Sequence, residues 1–183
     1  MGLSASKKLS SGLKHCTLWK ADRSPACRAV MMSLDAMNLS VTEVDINIDK
    51  EEHKTPQMLS VRNFSFNIQL FHSTYPCYPI LYGNCKYLNA QQIMDIECTY
   101  YDLECMLVGK CWFGGSWATL SDIIFASSVS TLNILVPVDK YKFPRLSGWL
   151  YRVSEELFYV TANKKGLCEF TKRIGELPQV QKS

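Results

Sequence analysis

The chain has 183 residues, of which 47% are hydrophobic and 20% charged, and this composition excludes a wholly disordered protein. Its formal net charge of +3 is spread along the chain without a basic stripe, which excludes nucleic acid as an expected partner. The length suits one domain of ordinary size or two small domains that share a core.

The cysteine content and the N-terminus together predict a reducing compartment. The chain contains eight cysteines, but the N-terminal stretch MGLSASKKLSSGLK lacks the apolar run of a secretion signal. We therefore expect a cytoplasmic protein with free thiols, and no metal site, because the cysteines have no Cys-x-x-Cys spacing. Met1-Gly2 followed by Ser6 fits the myristoylation pattern. A membrane partner is expected only if Gly2 is acylated, and the alternative is a plain flexible tail over residues 1–14.

The first predicted elements form a strand–helix–strand unit. A short buried strand is predicted from His15 to Trp19 and a helix from Pro25 to about Met37. In the following stretch VTEVDINID, apolar and polar residues alternate with the period of a half-buried strand. Such a unit joins two parallel strands by a right-handed crossover. The predicted apolar positions are Val44, Ile46 and Ile48 in the strand and Ala29, Val30, Met32, Leu34 and Met37 in the helix.

The rest of the chain is predicted to be helical from about residue 89 onward. Thr119-x-x-Asp122 precedes an apolar run, which predicts a capping box at the start of a core helix. That run, from Leu120 to Val138, contains too many polar residues to span a bilayer. Two further helical faces are predicted from apolar spacing: Ile93, Ile96, Tyr100, Leu103 and Leu107, and then Leu146, Trp149, Leu150, Val153 and Leu157.

Ser24 stands directly before Pro25, where the first strand gives way to the helix. One interpretation is a simple N-cap, because serine is preferred at that position and proline at the next. The other is a hydrogen-bond donor to a bound anion such as a thiolate, since a helix N-terminus favours negative charge. Cys27 lies three residues further, like the second cysteine of a thioredoxin-type motif. It is either an activated thiol or a packing residue.

Two long stretches resemble the cytosolic glutathione transferases of the insect delta and epsilon type. The stretch ADRSPACRAVMMSLDAMNLSVTEVDINIDKEEHKTPQML resembles their N-terminal part. The stretch that begins YYDLECMLVGKC and ends ANKKGLCEF resembles their all-helical C-terminal domain. The resemblance implies a fold of the α+β or α/β class. A partial thioredoxin-like βαβ unit would occupy residues 15–62, followed by the all-helical domain in residues 63–183.

The resemblance also implies roles for individual residues. Ser24 matches the catalytic serine that donates a hydrogen bond to the thiolate of glutathione, the co-substrate. His53 matches a histidine near the glycine end of glutathione, although by itself it would be a solvated loop residue. Phe71 and Tyr75, with His72, match the helix that lines the substrate pocket, although aromatic residues at helical spacing also commonly belong to a core.

One part of the family pattern is missing. After QMLSV the family continues with a strand–strand–helix unit that holds the rest of glutathione and forms part of the dimer contact. Here RNFSFNIQLFHSTYPCYPILY instead resembles the first helix of the C-terminal domain, so the unit is missing between Val61 and Asn67. We therefore expect weakened conjugation of glutathione to electrophilic apolar compounds, a detoxification activity, and a weakened or absent homodimer. The alternative is a non-catalytic ligand-binding or interaction protein that has lost the glutathione site.

Overall fold

The computed structural model describes residues 16–56, 80 and 87–176. The βαβ part consists of β1 (Thr17–Lys20), α1 (Pro25–Ala36) and β2 (Thr42–Asp45), followed by a short 3₁₀ helix (Glu52–Lys54). Among the described residues, the helical part contains α2 (Ala90–Met106), α3 (Leu120–Leu135), α4 (Pro144–Ser154), α5 (Leu157–Ala162) and α6 (Lys164–Glu176). This element order confirms the predicted fold class. The predicted gap between Val61 and Asn67 and the proposed boundary at residue 62 lie outside the described residues.

The two strands in the described part of the chain form a small parallel sheet, as predicted. Thr17 lies opposite Thr42 and Lys20 lies opposite Asp45. From Val44 to Ile48 the apolar residues are half-buried and the polar residues between them are exposed, which confirms the predicted alternation. Because a two-stranded sheet is marginally stable alone, the unit depends on helix packing, and α1 packs against α3 and α5.

The inward face of α1 differs in part from the prediction. Ala29 and Met32 are buried as expected, and Arg28 is also completely buried. Val30 and Met37, however, are 43% and 53% exposed, so their predicted core positions are wrong. Arg28 explains the difference, because it shares the inward face of α1 with Ala29 and Met32, and Val30 lies about 200° around the helix from Arg28.

The helical part encloses the main core around α3, and most of the predicted faces are confirmed. Two of the predicted positions are wrong: Ile93 is 39% exposed in the first turn of α2, and Leu157 is 76% exposed because α4 ends at Ser154 and a new helix begins. None of the helices in the described part of the chain is long and apolar enough to cross a membrane. The confirmed core residues are Ile96, Tyr100, Leu103 and Leu107 from α2, and Leu146, Trp149 and Val153 from α4.

The predicted capping box at the start of α3 is confirmed. The carboxylate of Asp122 accepts hydrogen bonds from the Thr119 N–H and hydroxyl, both at 2.8 Å. Its other oxygen accepts from the Phe113 N–H and from Nε1–H of Trp149, both at 2.9 Å. Asp122 is fully buried. The carboxylate of Asp122 therefore caps the N-terminus of α3 and also holds the preceding loop and α4 in place.

A glycine allows α6 to approach the loop between β1 and α1. A Cβ atom on Gly166 would lie 1.9 Å from the Asp22 carbonyl oxygen and 2.6 Å from Cδ of Arg28. The guanidinium of Arg28 donates to Oδ1 of Asn163 at 2.6 Å and to Oγ1 of Thr131. These contacts attach the βαβ unit to the helical part through Asp22 and Arg28, which lie on either side of Ser24 in the chain.

Candidate functional site

Ser24 lies at the N-cap position of α1, after the turn that follows β1. Its N–H donates to the Ala21 carbonyl at 2.9 Å, and its own carbonyl accepts from the Arg28 N–H at 3.0 Å. The residue is 6% exposed, and its side chain makes no capping hydrogen bond, while Pro25 occupies the first helical position. The predicted location at the helix start is confirmed, and the helix starts there without a capping bond from the Ser24 hydroxyl.

The other predicted site residues have different locations. Cys27 is a half-buried free thiol in the first turn of α1. The backbone of His53 lies in the 3₁₀ helix that follows β2. Phe71 and Tyr75 lie outside the described residues. The structure therefore describes the surroundings of the proposed thiol donor but not the proposed electrophile pocket.

An ion pair joins the loop before Ser24 to the loop that contains His53. Nη1 and Nη2 of Arg23 donate to the two carboxylate oxygens of Asp49 at 2.8 and 2.6 Å. Nη2 of Arg173, from α6, lies 3.5 Å from the same carboxylate. The hydrogen bond from Arg23 is the main cause that holds the pKa of Asp49 below its ordinary value, so the carboxylate is charged at neutral pH.

A second network of ion pairs is centred on Lys20, at the end of β1. Nζ of the buried Lys20 contacts Asp22 and lies 2.8 Å from Asp45. Burial alone would lower the pKa of Lys20, but the hydrogen bonds to Asp22 and Asp45 outweigh burial and raise it. Burial would likewise raise the pKa of Asp22, but the hydrogen bonds from Lys165 and Lys20 lower it overall. The network ties both strand ends to α6.

A cleft of about 370 Å³ lies between these two loops and α6. It includes the three residues before Ser24 and most of the loop after β2. Among the described residues of its lining, only Ala21, Ile46 and Ile48 are apolar, so this part of the lining offers little surface for an apolar substrate. The polar lining residues are Asp22, Arg23, Asp45, Asn47, Asp49, Glu52, Lys165 and Glu169.

A second groove, of about 530 Å³, lies within the helical part and has a different character. None of the described residues that line it has a charged side chain, although charged residues make up 20% of the chain. The groove lies between α3, α4 and α6 and does not include the loop of Ser24. Its lining residues are Ser130, Asn133, Ile134, Val138, Ser147, Leu150, Tyr151, Ser154, Tyr159, Leu167, Cys168 and Thr171.

The sequence pattern alone did not predict the ion pairs around Ser24. The register of the two strands indicates the pair of Arg23 with Asp49. Because Lys20 lies opposite Asp45, equivalent positions of the two strands are 25 residues apart. Arg23 and Asp49 are 26 residues apart and follow their strands at the same edge of the sheet. In the part of the chain that the structure describes, no cluster of three His, Cys, Asp or Glu side chains is arranged to bind a metal ion.

Comparisons with known proteins identify the fold. No protein-family model matches the chain. The epsilon-class glutathione S-transferase of the housefly, Musca domestica, superposes with a TM-score of 0.76 at 20% identity, over 90% of this chain and 99% of the other. A glutathione transferase homolog from Drosophila mojavensis, solved with bound glutathione, gives 0.76 at 20% identity over 88% and 97%. The chain therefore has the fold of the glutathione transferases.

The sequence resemblance is also confirmed. Glutathione S-transferase 1 of Manduca sexta is 26% identical over 206 residues, which cover 84% of this chain and 95% of the moth protein. Because 84% of 183 residues is about 154, the aligned region contains about 50 residues of the moth protein without a counterpart here. A shorter aligned chain is what the predicted absence of a strand–strand–helix unit requires.

Proposed function

We propose that the chain is a cytoplasmic glutathione transferase-family protein that conjugates glutathione to electrophilic apolar compounds, with weakened activity. The observation that carries the proposal is the position of Ser24 at the N-terminus of α1, between a strand and a helix. It matches the position of the thiol-donating serine in the family. The bound glutathione in the Drosophila mojavensis homolog supports glutathione as the co-substrate.

The proposed mechanism is activation of the glutathione thiol by one hydrogen-bond donor. Lowering the pKa of a thiol by about two units requires about 2.7 kcal/mol of preferential interaction with the thiolate. A hydrogen bond to a charged group supplies roughly 1.5–3 kcal/mol, and a helix N-terminus roughly 0.3–1 kcal/mol more. The hydroxyl of Ser24 at the start of α1 is therefore sufficient in magnitude. The thiolate then attacks an electrophile held close to it.

The test compares the wild type with two single substitutions in the first turn. The assay is conjugation of glutathione to a model electrophile, with the uncatalysed reaction subtracted. Ser24→Ala removes a hydrogen bond to a charged group and should lower the rate about 10- to 150-fold. Cys27→Ser should leave the rate nearly unchanged, because the proposed mechanism gives no role to Cys27, a half-buried thiol in the first turn of α1. The serine mechanism is wrong if Cys27→Ser abolishes the activity and Ser24→Ala preserves it.

A non-catalytic ligand-binding protein is the second candidate function. The groove of about 530 Å³ favours it, because its described lining residues carry no charge and its volume suits a small neutral molecule. The missing strand–strand–helix unit favours it as well, since that unit holds much of glutathione in the family. Calorimetric titration separates the two candidates: neither heat nor thermal stabilisation at millimolar glutathione would leave only the ligand-binding function.

The remaining expectations concern domains and partners. We propose that the thioredoxin-like unit spans residues 15–62 and the helical domain residues 63–183. His53 is proposed to contact glutathione, and Phe71 and Tyr75 to line the electrophile pocket. Association with a membrane is proposed only for a protein acylated at Gly2, which mass spectrometry of the N-terminus from a eukaryotic host would detect.

A further inference from the structure

The pair formed by Arg23 and Asp49 has the geometry of a clamp between two loops. The planar guanidinium faces the carboxylate with two parallel hydrogen bonds of 2.8 and 2.6 Å. This bidentate arrangement fixes the orientation of both groups, unlike a single contact between flexible side chains. The side chain of Arg23 is largely buried, while Asp49 is half-exposed.

Each partner of the clamp belongs to a loop that carries a proposed glutathione contact. Arg23 is the residue directly before Ser24, and Asp49 lies in the turn that leads into the 3₁₀ helix with His53. The second loop also has bonds of its own, from the Asn47 N–H to Glu52 and from the Lys50 N–H to the Asn47 side chain. Those bonds set the shape of the loop, whereas the clamp sets its position relative to Ser24.

We propose that Arg23 and Asp49 are positioning residues that hold the loops of Ser24 and His53 at the separation glutathione requires. The inference rests on the proposed function. The expected absence of the strand–strand–helix unit supports the inference, because fewer groups are then left to hold glutathione. The affinity for glutathione therefore depends more strongly on the alignment of the two remaining loops. Arg173 reaches the same carboxylate from α6, so the clamp is anchored to the helical part.

The experiment measures glutathione Kd by calorimetry, and KM and kcat by conjugation, for the wild type, Asp49→Asn, Arg23→Gln and the double variant. Asp49→Asn should raise Kd and KM for glutathione about three- to tenfold and change kcat less than about twofold, since Ser24 is untouched. The double variant should have a Kd and KM for glutathione no higher than those of either single variant, because all three variants lack the pair of Arg23 with Asp49. Arg23→Lys keeps the charge without the bidentate fork and should recover part of the affinity.

A matched control comes from the same loop. Glu51→Gln makes the same change in charge and removes an exposed pair with Lys54, and it should leave Kd and KM unchanged. A merely structural role of the clamp would lower kcat through loss of folded protein and leave KM at the wild-type value. That result, or equal Kd for Asp49→Asn and Glu51→Gln, overturns the inference while the proposed function stands. A wild type that binds no glutathione overturns both.

Discussion

Gly166→Ala should weaken the packing of the βαβ unit against the helical part and lower the stability of the protein. Side chains essentially never place Cβ closer than 3.0 Å to such an atom, and here the Asp22 carbonyl oxygen would be at 1.9 Å, so it must move by at least 1.1 Å. Overpacking of this kind destabilises a protein by about 1–3 kcal/mol. The higher helix propensity of alanine returns about 1 kcal/mol. Because the obstacle is backbone, we expect the upper end of the range and a net loss of about 2 kcal/mol.

Urea unfolding followed by tryptophan fluorescence measures this loss. With a typical slope of about 2 kcal/mol per molar urea, the midpoint should fall by about 1 M. Gly175→Ala is the matched control, because Gly175 lies in the same helix and no atom of the described residues would lie within 4 Å of the new Cβ; its midpoint should stay or rise slightly. Equal midpoints for the two variants would refute the close approach of α6 to the loop before Ser24.

Three further predictions concern the cap, the carboxylates and association. Thr119→Ala should lower the free energy of unfolding by about 0.5–2 kcal/mol, whereas Thr99→Ala, which loses only a bond back to the carbonyl four residues earlier, should change the urea midpoint little. The folded protein holds the pKa values of Asp22 and Asp49 below their ordinary value of about 3.8. The stabilisation that these carboxylates give the folded protein is therefore present above about pH 3.8 and is lost as the pH falls below that value. The difference in free energy of unfolding between the wild type and Asp22→Asn should shrink from pH 5 to pH 3. Light scattering at micromolar concentration should show no clean dimer, and a stable dimer would contradict the weakened interface.

The sequence predicted the elements with regular patterns. The start of α3 was predictable because threonine and aspartate three residues apart can satisfy each other's backbone groups within one helix turn. The second strand followed from the alternation at Val44 and Ile46, and the parallel pairing followed from the strand–helix–strand order. These features depend on residues close in the chain, and the structure confirms them.

The features that the sequence did not predict depend on contacts between distant residues. Val30 looks like a core residue from its chemistry, but Arg28 occupies the face of α1 that packs inward because Thr131 and Asn163 provide its hydrogen-bond acceptors. The position of Ser24 was predictable from the serine–proline start signal. The pairing of Arg23 with Asp49 was not, because it depends on the register between β1 and β2, and the pattern of neither strand shows that register.

The attachment of α1 has a consequence for synthesis on the ribosome. Arg28 precedes Thr131 by 103 residues and Asn163 by 135 residues. At about 5–20 residues per second, translation needs about 7–27 s to produce the more distant partner after Arg28. During that interval α1 and its two strands have no completed docking surface. Of the described elements, those that are synthesised first are therefore among the last to become buried.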